Sequence, residues 1–242
     1  MIVSWFSAGV SSAVATKLVI DEVDKIIYNH IDDQHEDTMR FVKDCEQWFG
    51  KEIEIAQSVY KDVDTACRGW GGENSKGFIR SVRGFAPCTE LLKRRVRKEW
   101  EYKNDHENHT YIWGMDCNEA NRFERLSVAM PNQKHRCPLI EQSISKAHAH
   151  EILKANGLKR PIFYDMGYHN QNCLGCIKGG MGYFNKIRRD FPEVFAKRAK
   201  MERDIGASCI KGVFLDELDP ERGRHDAPIV EDCGIMCELM KL

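Results

Sequence analysis

The chain has 242 residues, with 36 Lys or Arg against 37 Asp or Glu and a formal net charge of −1. That balance removes any global electrostatic case for nucleic acid or a membrane surface and leaves only local patches. No run of 18 apolar residues occurs, and the opening stretch lacks the basic leader and length of a signal peptide, so a soluble, cytoplasmic protein of one principal domain is expected.

Ile2–Phe6 (IVSWF) has strand length, and Ser11–Ile20 follows at helical spacing. Lys25–Ile31 reads as a second strand, Thr38–Phe49 as an amphipathic helix stopped by Gly50, and Lys51–Ala56 as a third strand. Gly69–Gly84 holds five glycines among polar and basic residues and reads as a mobile loop, a candidate lid. Thr89–Tyr102 is a basic helix, His109–Gly114 a fourth strand and Glu119–Ala129 a helix. Pro138–Ile140 is a short apolar piece, and Ser145 caps a helix running to Asn156–Gly157. Beyond about Tyr164 come cysteine pairs, a glycine-rich turn, a basic helix Tyr183–Arg189 and a helix Pro192–Ile205. Strand and helix alternate, which predicts an α/β fold: a doubly wound, mostly parallel sheet with a cysteine-rich C-terminal extension.

The loop between the first strand and first helix reads SAGVSS. Small residues at a helix N-terminus expose amides and the positive dipole end to an anion, yet any tight strand-to-helix turn needs the same residues. Ten cysteines in a large chain of a reducing compartment read as metal ligands or reactive thiols rather than disulfides. Cys173-Leu-Gly-Cys176 is a CxxC pair, open to a redox dithiol or half a zinc site. Cys233-Gly-Ile-Met-Cys237 is a CxxxC pair, and together the two would make a four-thiolate zinc site. Cys45 and Cys67 lie in helical patterns as small buried hydrophobes.

SAGVSS resembles the SGGxDS pyrophosphate loop of the adenine-nucleotide α-hydrolase-like (PP-loop) group. EDTMRFVKDCEQWFG, PCTELLKRRVR, WGMDCNEANR, PLIEQSISKAHAHEIL and GYHNQNCLGCIKGGMGYFNKIRRDFPEVF together resemble the phosphoadenosine phosphosulfate (PAPS) reductase family, in particular its compact bacteriophage and bacterial members. The resemblance implies a nucleotide-binding domain over residues 1–165 with a cysteine-rich helical region, 166–242, packed on it. Ser7, Ala8, Gly9, Ser11 and Ser12 would hold the phosphates of ATP, PAPS or adenylyl sulfate. Two departures matter: Ala8 replaces a glycine, and Val10-Ser11 replaces a Lys-Asp pair. Losing that lysine and aspartate weakens pyrophosphate cleavage more than nucleotide binding.

The GYxxxxCxxC surroundings are similar to those of proteins that hold an iron–sulfur cluster, which implies a [4Fe–4S] cluster on Cys88, Cys173, Cys176 and a further ligand such as Cys237. Cys233 sits where sulfonucleotide reductases carry the thiolate that attacks the sulfonucleotide. Five cations fall within residues 93–98; such a run is either a solvated face or, for Lys93 in CTELLK, a contact to an anionic substrate, where the family has a lysine. Arg122 matches the family's arginine after the fourth strand, with Gly114 allowing nucleotide close to the backbone. His30 and Asp32 follow the second strand, where such sheets place ligand loops. Lys178, Lys186, Arg188 and Arg189, with Tyr183 and Phe184, offer a segment for single-stranded nucleic acid, or a helix that buries its aromatics. Three functions are therefore expected: sulfonucleotide reduction with a thiol donor protein, ATP-dependent thiolation of nucleic acid, or nucleotide binding with a structural zinc.

Overall fold

The computed structural model describes residues 1–81, 84–104 and 108–224. Ile2–Phe6 (β1), Lys25–His30 (β2), Ile53–Gln57 (β3), Thr110–Ile112 (β4) and Lys134–Arg136 (β5) form one sheet in the order β3-β2-β1-β4-β5, every pair parallel. Parallel strands require crossovers, and helices supply them on both faces. These are Val10–Leu18 (α1), Asp37–Phe49 (α2), Val63–Arg68 (α3), Pro87–Thr89 (α4), Arg95–Lys103 (α5), Ala120–Ala129 (α6), Pro138–Glu141 (α7) and Lys146–Ala155 (α8). Ile162–Asp165 (α9), Met181–Asp190 (α10) and Pro192–Ile205 (α11) follow the sheet.

The two-residue strand period sorts side chains to the two faces. Phe6, Ile26, Tyr28 and Ile112 pack with Val14 of α1, Phe41 of α2 and Leu153 of α8. Val3, Ile27 and Tyr111 point the other way, against Trp100 of α5 and Leu126 of α6. The fold is therefore α/β and doubly wound. Gly50 ends α2 in the left-handed region at φ 67°, and Ser145 Oγ caps α8 by accepting the His148 N–H. No helix among the described residues is long and apolar enough to cross a membrane.

β5 lies outside the sequence expectation, whereas α3 carries the helical pattern expected around Cys67. β5 is three polar residues, Lys134–Arg136, with no apolar alternation, and it is a strand only because it pairs with β4. α3 is a six-residue helix capped by Asp62, whose side chain accepts the Thr65 N–H.

A third core gathers Val63 and Cys67 of α3, Ile79, Leu91, Phe163, Ile187 of α10, and Met201 and Ile205 of α11. The described part of the glycine-rich stretch, residues 69–81, packs on this core through Trp70 and Ile79, which corrects the expectation of a mobile lid there. Ile79 is fully buried, and the Phe78 N–H donates to Cys67 O at 2.9 Å. A Cβ on Gly77 would stand 2.6 Å from Cys67 O, so that glycine permits the close approach. Its glycines shape a strap, and its apolar residues pin it.

The strand order reverses at β1, because β2 lies on one side of it and β4 on the other. Chains leaving β1 and β4 diverge there and open a crevice at the carboxyl ends of the strands.

Candidate functional site

β1 ends at Phe6, and the chain turns into α1 through Ser7, Ala8 and Gly9. Ala8 adopts φ 57°, the left-handed region that glycine enters most easily. The position thus keeps a glycine-like backbone although it carries a methyl. Ser12 organises the turn: its Oγ accepts from the Ser7 hydroxyl at 2.9 Å and the Ser7 N–H at 3.3 Å, and donates to Gly9 O at 2.9 Å. The first amides of α1 have no carbonyl behind them within the helix and face the crevice with the positive end of its dipole. The Val10 N–H points to the Tyr164 hydroxyl at 3.4 Å.

This turn forms one wall of a cavity of about 520 Å³, within the range of small-ligand sites. Trp5, Phe6, Trp113, Met115 and Leu126 give it an apolar side. Lys93, Arg94, Arg97, Arg122 and Lys146 give it five cations, against the carboxylates of Asp116 and Glu119. Arg94 bonds Glu90 at 3.1 Å, Arg97 bonds Glu101 at 2.9 Å, and Arg122 pairs with Glu119. Burial lowers the pKa of Lys146, opposed by the nearby Glu119 and Asp116.

Several buried polar atoms of the lining residues have no partner among the described residues: Trp5 Nε1, Asn29 Oδ1, Gln171 Oε1 and Asn172 Nδ2. A buried polar atom left unpaired costs about 1–3 kcal/mol, which a polar ligand would recover. The Asn29 amide is oriented by its own Nδ2, which donates to Leu92 O at 2.6 Å and leaves Oδ1 as an acceptor.

Ser7, Gly9, Ser11, Ser12, Lys93, Gly114 and Arg122 all line the cavity; Ala8 and Asp32 do not. Ala8 is fully buried and contributes backbone shape alone. Asp32 turns toward β3, where its Oδ1 accepts from Gln57 Nε2 at 2.6 Å and lies 3.4 Å from His30 Nε2. Gly114 is small for a further reason: a Cβ there would stand 2.4 Å from Ser12 Cα.

Arg94 and Arg97 belong to the basic run, yet their side chains are only 10% and 11% exposed. A π-helical turn over Glu90–Arg94 joins α4 to α5 and resets the phase of the helix, directing Lys93, Arg94 and Arg97 to the cavity while Leu91, Leu92 and Val96 are buried. Lys146 and residues 169–172 were not singled out from the sequence; the polar run HNQN immediately before Cys173 was the available signal.

Cys88, Cys173 and Cys176 line one second, much smaller cavity of about 10 Å³ with Thr89, Leu92 and Lys93. Cys173 and Lys93 line both cavities, so the thiols stand at the end of the larger one. Cys233 and Cys237 lie outside the described residues. A zinc ion draws its thiolates to about 2.3 Å, and no three His, Cys, Asp or Glu side chains among the described residues converge to hold a metal ion. A cluster places its thiolates on separate irons around a shared volume. The three thiols border a void that holds about one water, so the residues as placed do not fit a cluster.

Cys45, Cys67 and Cys137 are buried thiols. Burial pushes Cys67 and Cys137 up to about 12, and Cys45 is likewise raised by burial and Asp44. The Cys137 thiol donates to Trp113 O at 3.2 Å and Met115 O at 3.1 Å, beside the end of β4.

Helix α10 turns Lys186, Arg188 and its aromatic residues to partners within the fold, while Arg189 is exposed. Lys186 pairs with Asp190 at 2.9 Å and lies over the Tyr168 ring. Arg188 donates to Leu215 O and Leu218 O and stacks on Phe195, while Tyr183 and Phe184 are buried. The aromatics are therefore not offered to bases.

No family model matches the chain. An uncharacterized protein of Methanocaldococcus jannaschii is 23% identical to it over 210 residues, 82% of this chain and 41% of that protein. The chain therefore spans about two fifths of the length of that curated relative. Among solved structures, phosphoadenylyl-sulfate (PAPS) reductase from Candida auris, in a phosphate complex, is similar with a TM-score of 0.45 and 9% sequence identity. That alignment covers 72% of this chain and 81% of the other.

Proposed function

We propose that the chain binds an adenine nucleotide in the large cavity and acts on a sulfonucleotide, PAPS or adenylyl sulfate, as a reductase. One observation carries this reading: a nucleotide-sized cavity at the β1/β4 divergence joins a helix mouth, a cationic wall and Cys173 in a single space. The apolar wall suits a base, and the amides of α1 with Lys93 suit the anionic end. The motif resemblance supplies the reaction class.

In that reaction a cysteine thiolate, assigned by resemblance to Cys233, attacks the sulfonucleotide sulfur. An S–S bond forms, the S–O bond breaks, and the nucleotide leaves with the electron pair. A dithiol donor then releases sulfite and becomes a disulfide. Lys93 holds the anionic group during the exchange. By resemblance, Cys88, Cys173 and Cys176, with Cys237, would hold a [4Fe–4S] cluster, for which the small cavity would have to open; no step of the exchange runs through it.

Incubation of the chain with PAPS or adenylyl sulfate and a dithiol tests the reading: sulfite and free nucleotide are expected. Release of AMP and pyrophosphate from ATP only when nucleic acid is present would establish thiolation instead. Zinc without iron in anaerobically purified protein, with neither activity, would leave a nucleotide-binding protein with a structural metal.

A further inference from the structure

The turn that presents the α1 amides carries no charged side chain: SAGVSS offers hydroxyls and N–H groups alone, and its Val10 is fully buried. An anion held at that turn draws its counter-charge from another segment.

Lys146 is placed to supply it. It is the first residue of α8, directly after the Ser145 cap, and it lines the same cavity as Ser7, Gly9, Ser11 and Ser12. The first turn of α8 holds no acidic residue, and a cation there sits at the positive end of the helix dipole, so nothing in α8 itself favours the position. The Lys146 Nζ donates to Asn170 Oδ1 at 2.6 Å and to His169 O, both neutral oxygens. The two carboxylates that line the cavity are engaged by their own neighbours. Asp116 Oδ1 accepts the Asn118 N–H at 2.8 Å, while Glu119 pairs with Arg122 and accepts the Asp116 N–H at 3.0 Å. Burial of the ammonium is therefore offset only in part, and an anion set beside it would offset the remainder.

Two contacts tie this ammonium to the mouth of α1. It lies over the Tyr164 ring, 5.8 Å from its centre, and the hydroxyl of that ring accepts the Val10 N–H at 3.4 Å. The Tyr164 oxygen stands where an anionic oxygen would meet that amide, and at 3.4 Å the bond is long enough to be given up. The segment that Lys146 grips at His169 and Asn170 continues into Gln171, whose Cβ would stand 3.8 Å from a Cβ on Gly9. Lys93 comes from a different segment and also borders the cysteine-lined cavity, so the two lysines flank the larger cavity from separate sides.

We infer that Lys146 is the cation of the α1 mouth: it holds the anionic tail of the nucleotide from across the turn and makes the cavity select phosphorylated or sulfated nucleosides over the bare nucleoside. The inference rests on the reading of the cavity as an adenine-nucleotide site and not on the reaction that follows binding.

Calorimetric titration of the full chain with adenylyl sulfate and with adenosine tests this. Lys146→Met should weaken adenylyl sulfate binding about 10–100-fold, the loss of a hydrogen bond to a charged group, and leave adenosine binding unchanged. Lys146→Arg keeps the charge and should recover most of that loss. Wild-type affinity for adenylyl sulfate in Lys146→Met would overturn the inference. An equal loss for adenosine would also overturn it, because the cause would then be damage to the 169–171 segment rather than a missing charge. So would an arginine variant as weak as the methionine one. If the wild-type chain binds neither ligand, the nucleotide reading itself fails and the inference falls with it; wild-type binding without an effect at Lys146 fails the inference alone.

Discussion

Gly114 stands against Ser12 so closely that a Cβ on it would lie 2.4 Å from Ser12 Cα and 2.6 Å from Ser12 N. The end of β4 thus braces the first turn of α1, the same turn that presents its amides to the cavity. Backbone cannot rotate aside as a side chain can, so Gly114→Ala must separate strand from helix. The expected cost is about 1–3 kcal/mol, or several degrees in Tm, with weaker nucleotide binding. A variant with unchanged Tm and affinity would show that the contact is not a brace.

Lys93 lines both cavities, whereas Asp32 lines neither. Lys93→Met should weaken binding of PAPS or adenylyl sulfate roughly 10–100-fold, the range for a hydrogen bond to a charged group. Asp32→Asn should bind as wild type does. Calorimetric titration of both variants decides the point, and the reverse ranking would relocate the ligand toward β3.

His150 packs edge-on against Tyr164 at 4.8 Å, and its Nδ1 faces Arg160 Nη1 at 3.4 Å. Burial first, then Arg160 and Lys146, depress it from 6.5 to about 4. Its imidazole is therefore neutral in the native state over a range where the unfolded chain takes up a proton. Unfolding then binds protons between about pH 6.5 and 4, so stability is lost as pH falls through that window, by about 1–3 kcal/mol. His150→Gln should flatten the dependence of Tm on pH between those values; an unchanged slope would place the proton elsewhere.

Ile79 is fully buried in the third core while Lys76, three residues earlier, is exposed. Ile79→Ala should destabilise the chain by about 2–5 kcal/mol. Tryptic cleavage at Lys76 should proceed at the same rate with and without saturating nucleotide, because none of the described strap residues lines the cavity. Protection by nucleotide would restore a lid.

Much of the fold was legible because its signals are local. β1 and α11 fall on their predicted residues, Ile2–Phe6 and Pro192–Ile205, and Gly50 and Ser145 close and open helices where the sequence placed them. Buried parallel strands carry apolar runs, and caps act within a few residues. β5 gave no such signal, since Lys134–Arg136 owes its extended state to β4. The glycine count of 69–84 suggested mobility, but Ile79, Trp70 and Phe78 outweighed it once a core was there to receive them.

The sequence by itself determined the α/β alternation, the small-residue turn at the mouth of α1 and the identity of the candidate thiols. Tertiary structure alone decided which cations face inward, through the π-helical turn at Glu90–Arg94, and that the space bordered by Cys88, Cys173 and Cys176 is only about 10 Å³. It also decided that Lys146 lines the cavity with the turn before α1. The physical reason is range: periodicity and capping act within a turn or two, whereas a cavity wall is built by segments that packing alone brings together.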